Sequence, residues 1–151
     1  MCCYVIKCEV SYLVKADIRI GDVYIIEFSG VGSEQSGKRP GVVCQNNFGN
    51  LHSPNLIVLP LSASLKRRDM PTHVFLDATK CGLKRDSVVL CESPERVSKE
   101  RLGNYITTLS DEIMRKIAVG SLLASAVISF LDETTLLATL KKAKQLNRVA
   151  A

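Results

Sequence analysis

Gly21-Asp22-Val23-Tyr24-Ile25-Ile26-Glu27-Phe28 is a turn pair followed by six mostly β-branched and aromatic residues, and it reads as a strand. Downstream, Ser29 to Arg39 reads as a loop, with glycines at 30, 32 and 37. Pro40-Gly41 then releases a second strand, Val42 to Gln45. Leu56 to Ser62 is a third, and Pro60 inside it places that strand at a sheet edge or a bulge, because proline removes a ladder donor. His73 to Leu76 and Ser87 to Glu92 are two more, Ser98 to Leu102 reads as one helical turn, and Tyr105 to Thr108 is a short last strand. His52, beside Ser53-Pro54, is expected in an exposed loop.

Helix takes over at Ser110, a good N-cap followed by Asp111 and Glu112, whose charge suits the positive end of the helix dipole. Ile113, Ile117, Gly120, Ala124, Ile128 and Leu131 recur at three- and four-residue steps and make one apolar face. Met114, Ala118, Leu122 and Val127 widen that face, so the helix is expected to be covered on more than one side. A second helix is expected from Asp132, with Leu136, Leu137, Leu140 and Ala143 on one face and a basic remainder. Short strands closed by helix predict a mainly β fold with C-terminal α, a small barrel carrying a helical tail.

The 151 residues, 46% apolar and 23% charged, suffice for one domain with its own core and exclude wholesale disorder. The net charge of +5 is shared out: Lys7, Glu9 and Lys15 give +1 in residues 1–16, residues 132–151 give +2, and +2 is left for the middle. That balance alone does not establish a nucleic-acid partner. Six cysteines without a C-x-x-C, beside only two histidines, match no zinc site, so no metal is expected. Reduced thiols in a cytoplasmic protein are the expectation, with no signal peptide. The longest uncharged run, Ile117 to Leu131, has 15 residues, short of the ~20 needed for a membrane span.

Chemistry concentrates in Gly32-Ser33-Glu34-Gln35-Ser36-Gly37-Lys38-Arg39-Pro40, an acid, two bases and several polar groups between strands. Together with IRIGDVYIIEF before it, and QNNFGN, SPNLIVLPLSASL, PTHVFL and RDSVVLCE after it, this stretch resembles the MazF/PemK/Kid family of toxin endoribonucleases over about residues 18–125. The resemblance implies a Src-homology-3-like barrel of the CcdB/PemK type with a C-terminal helix, working as a homodimer. It also implies metal-independent cleavage of single-stranded RNA at short sequence motifs and neutralisation by a cognate antitoxin. On that reading residues 17–131 are the barrel domain, 1–16 an extension or a mis-assigned start, and 132–151 a basic helical tail.

Such cleavage runs through attack of the ribose 2′-hydroxyl on the adjacent phosphate. It needs a base, help for the leaving oxygen, and positive charge on the phosphorane. The family's catalytic arginine falls on Arg39, whose guanidinium suits phosphate oxygens but is a poor acid at neutral pH. Its catalytic threonine position holds Ser62, which keeps the hydroxyl and loses the methyl. Glu34 is either the general base or a loop carboxylate paired to Lys38 or Arg39. Ser33 and Gln35 are expected to shape the loop or touch RNA. Lys38, the Lys66-Arg67-Arg68 run and Arg85 are candidate phosphate contacts. His73 is expected to be structural or to line the substrate. Where the family commonly has glutamine and then Arg-Thr-Ile-Asp, this sequence has Ser93-Pro94-Glu95-Arg96-Val97, so altered specificity is expected. The competing readings are a CcdB-like gyrase poison on the same barrel and a decayed toxin that only binds an antitoxin.

Overall fold

The computed structural model describes residues 17–32 and 35–148. Seven strands, β1 (Asp22–Ser29), β2 (Ser36–Val43), β3 (Asn55–Ser62), β4 (His73–Leu76), β5 (Ser87–Leu90), β6 (Glu95–Ser98) and β7 (Leu102–Thr108), form one antiparallel sheet in the order β4-β5-β3-β2-β1-β7, with β6 paired to β3. The helices are α1 (Asn47–His52), α2 (Ala78–Cys81), α3 (Asp111–Ala124) and α4 (Glu133–Arg148). Short 3₁₀ segments occupy Lys99–Arg101 and Ala126–Phe130.

Alternation along the strands sends side chains to two cores, one on each face of the sheet. Val23, Val42, Leu59, Leu61, Val74, Leu76 and Val89 pack with Ile117 of α3. Tyr24, Ile26, Phe28, Val43, Leu56, Val58, Val97 and Leu102 fill the second cluster, around which β6 and β7 curl to give a barrel-like form. The buried carboxylate of Asp22 ties the start of β1 down, accepting the Arg19 N–H at 2.8 Å and the Thr108 hydroxyl at 2.6 Å.

Several expectations are corrected. The stretch read as loop through Arg39 is strand from Ser36 onward, because β1 supplies a partner for it: Glu27 pairs with Lys38 and Ile26 with Arg39. β3 is central rather than an edge. Pro60 is tolerated where the strand's outer flank passes from β6, which ends its pairing at Val58, to β5, which begins at Leu61. β5 ends at Leu90, and β6 was not expected at all. The last strand begins at Leu102, three residues before the expected Tyr105, directly after the 3₁₀ segment that answers to the helical turn.

QNNFGN opens a helix, so His52, expected in a loop, falls on it. Asn46 caps α1 by accepting the Gly49 N–H at 2.8 Å, and Asn50 donates to the Gln45 carbonyl at 3.0 Å. His52 is therefore the last residue of α1, exposed, with its ring tilted against Phe48. Asn47 accepts the Ile20 N–H at 2.9 Å and donates its own backbone N–H to the Asn147 side chain at 3.1 Å, which docks α4.

α3 begins as expected, with the Ser110 side chain accepting from Ile113, but stops at Ala124. Ser125 and the β-branched pair Val127-Ile128 hold helix weakly, and no core lies against them: Val127 is 64% and Phe130 87% exposed. Ile117 and Gly120 of α3 are buried and Ile113 and Met114 pack against the core, but Val119, Leu122 and Leu123 on its outer side stand uncovered within one chain.

Burial, then the neighbouring Cys91 thiol, pushes Cys44 up to about 12, and burial pushes Cys91 up to about 11. Both hold far less thiolate at neutral pH than an ordinary cysteine. Iodoacetamide at pH 7.5, followed by peptide mass mapping, is expected to label both on the order of a hundredfold or more slowly in the native protein than in guanidinium.

Candidate functional site

β2 and β3 run as an antiparallel pair from Val43↔Val58 to Gly41↔Pro60 and then part. β2 continues beside β1, setting Arg39 opposite Ile26, while β3 continues beside β5, setting Ser62 opposite Val88. Proline causes the fork. The Cys44 N–H donates to the Ile57 carbonyl at 2.9 Å, so alternation turns residues 42 and 40 of β2 toward β3 as well. Pro40 has no N–H to give, and the ladder ends.

Arg39 and Ser62 each stand two residues past the last rung, in the register that makes Gly41 and Pro60 partners. Residues two apart share a face, so both belong to the face of the second core cluster. Arg39 is half-buried. Its Nε and Nη2 donate to the Ser36 carbonyl at 3.2 and 2.6 Å, and Nη1 donates to Gln35 Oε1. The Ser62 hydroxyl oxygen accepts the Ser64 N–H at 3.2 Å and retains its own proton for donation.

Lys66 and Arg67 follow β3, and Arg85 precedes β5. All three are exposed at the end of the sheet where Ser62 pairs with Val88. Lys38 lies one residue from Arg39 and so faces the other way, lining a separate hollow with Glu27 and Arg101. Ser33 and Glu34 lie outside the described residues. Among the described residues no three His, Cys, Asp or Glu side chains gather as metal ligands would. No helix of the described residues is long and apolar enough to cross a membrane.

Gln35, directly before β2, lines a cavity of about 400 Å³ together with Glu92, Ser93, Glu95, Arg96 and Arg101 among others. Gln35 thus touches the cavity and the Arg39 guanidinium at once. The model of PemK-like, MazF-like toxins of type II toxin-antitoxin systems matches residues 19–120. The chain belongs to that family.

Endoribonuclease EndoA of Bacillus subtilis (strain 168) is 43% identical over 114 residues, covering 75% of this chain and 98% of that protein. The fold is shared with MazF of Deinococcus radiodurans, at TM-score 0.60 and 22% identity over 72% of this chain and 97% of that one. A Mycobacterial endoribonuclease in complex with its cognate antitoxin superposes at TM-score 0.56, with 25% identity over 71% of this chain and 93% of its own.

In this PemK/MazF-type chain the cavity wall is built from residues scattered along the sequence. Of them, Ser29 and Arg101 carried no signal on their own. Glu95 and Arg96 stood out only where the family pattern breaks. His73 is nearly buried, its side chain 7% exposed, and its Nε2 lies 2.8 Å from Glu92 Oε1. Burial raises the Glu92 carboxyl, but a backbone N–H and the hydrogen bond from His73 outweigh it and hold the group below its ordinary value.

Proposed function

We propose that this chain is the toxin endoribonuclease of a type II toxin–antitoxin pair, cutting single-stranded RNA by metal-independent transesterification in the cytoplasm. The observation that supports the reading is the fork: the β2–β3 ladder ends at Gly41 and Pro60, and Arg39 and Ser62 each stand two residues past it, in register for one face of the sheet.

A phosphate seated there meets two kinds of donor. Arg39, already oriented by Ser36 and Gln35, stabilises the charge that develops on the phosphorane, and Ser62 donates to a second oxygen. Glu34 takes the 2′-hydroxyl proton, and the departing 5′-oxygen is reprotonated by water. The products are a 2′,3′-cyclic phosphate and a 5′-hydroxyl. Lys66, Arg67 and Arg85 hold the flanking phosphates, and Ser33 is a further candidate RNA contact. Exposed Val119, Leu122 and Leu123 on α3 fit a chain that acts as a homodimer and is neutralised by its antitoxin, since apolar surface of this extent is rarely left to water.

The test is a long RNA incubated with the folded, antitoxin-free protein in excess EDTA. Cyclic-phosphate and 5′-hydroxyl ends are expected. Uncut RNA, or 5′-phosphate ends, would overturn the reading.

A further inference from the structure

The cavity beside the fork is more polar than a stacking slot requires, and its charges are of both signs. Glu92 and Glu95 supply acceptors. Arg96 and Arg101 supply donors, and Gln35 joins the space to the Arg39 guanidinium. About 400 Å³ is near the lower end of small-ligand sites and holds one nucleoside rather than two. Glu92 is also the wall residue whose position is set from behind: His73 grips it at 2.8 Å. A carboxylate so held is an acceptor without a donor of its own.

From this we infer that the cavity is a base-reading pocket in which Glu92 selects a nucleobase bearing an exocyclic amino group and rejects uracil. The inference rests on the nuclease reading and assigns the pocket to one position within two nucleotides of the cut. Adenine, cytosine and guanine each offer a projecting amino N–H to a carboxylate, whereas uracil offers only its ring N3–H, set between two carbonyl oxygens that the carboxylate repels. The arginines suit the ring nitrogen or carbonyl acceptors that lie beside the amino group in those three bases. A well-placed base contact of this kind discriminates by roughly tenfold to a hundredfold. His73 is a positioning residue here: it touches Glu92 and lies outside the cavity wall.

Glu92→Gln is the informative variant. Glutamine has nearly the same size but carries both a carbonyl and an amide N–H, so it accepts from an amino base and donates equally well to uracil O4. Sequencing the 5′-hydroxyl ends from a long RNA is expected to show uracil depleted at least tenfold at one position within two nucleotides of the native cut. In Glu92→Gln the depletion is expected to fall below threefold. His73→Leu should relax the same position, and His73→Gln, which restores an N–H donor to Glu92, should tighten it again. A native cut site that accepts uracil throughout, or an unchanged preference in Glu92→Gln, overturns the inference.

Binding supplies an arm independent of cleavage. On Arg39→Ala protein, oligocytidylate is expected to bind at least fivefold tighter than oligouridylate, and adding Glu92→Gln should remove the difference. If the native protein leaves RNA uncut while this preference stands, the nuclease reading fails alone. If neither arm shows the preference, the pocket assignment fails.

Discussion

Replacing Arg39 by alanine is expected to slow RNA cleavage by about three orders of magnitude while the protein stays folded. The size of the effect follows from where the charge sits. Removing one preorganised donor from a developing oxyanion typically costs a hundredfold to a thousandfold, and Arg39 brings a full positive charge as well. Its described side-chain bonds reach only Ser36 and Gln35, and its pairing with Ile26 is made by the backbone. Melting is therefore expected to shift by only a few degrees. Arg39→Lys keeps the charge and loses the planar fork, so it should recover a small part of the activity. Full-rate cleavage by Arg39→Ala in a gel time course would remove Arg39 from the chemistry.

The second large effect is expected from Gly41→Val, in stability first and activity second. A Cβ at Gly41 would lie 2.8 Å from Ile26 Cδ1 and 3.1 Å from Phe28 Cζ, and both side chains belong to the packed second cluster. Valine adds three carbons to a space that does not hold one. Overpacking of this kind costs about 3 kcal/mol. That appears as a drop in urea midpoint without a change in slope. Gly41 is also the last rung before Arg39, so the molecules that remain folded are expected to cleave more slowly. An unchanged midpoint would mean that β1 and β2 separate more easily than their register implies.

How much of this was legible in the sequence differs element by element. β1, β3 and β4 carry dense β-branched or aromatic side chains, and their pattern alone locates them. β6 is Glu95-Arg96-Val97-Ser98, with one apolar residue, and it exists because β3 has a flank to pair with. The glycines and bases of 36–39 look like loop until β1 provides their partner, which places Arg39 on a strand. Asn46 was quoted for a motif, but its capping role needs the Gly49 N–H in view. For the site, family likeness pointed to Arg39 and Ser62, and the shared register with Pro40 explains how residues 23 positions apart reach one gap. The neighbouring cavity was beyond reach of sequence, since its wall gathers residues from 29 to 101 that share no spacing.

The most direct test of the account is a double-mutant cycle on the two side chains of the fork. Single-turnover cleavage is measured for the native protein, Arg39→Ala, Ser62→Ala and the pair. If both act on one phosphate, Ser62→Ala slows the native protein about tenfold or more, through loss of a charge-assisted hydrogen bond. In the Arg39→Ala background the same change should then slow it less than about threefold, because the oriented phosphate is already lost. A Ser62→Ala effect that repeats in full without Arg39 would show the two residues working independently, and the shared-phosphate mechanism would be wrong.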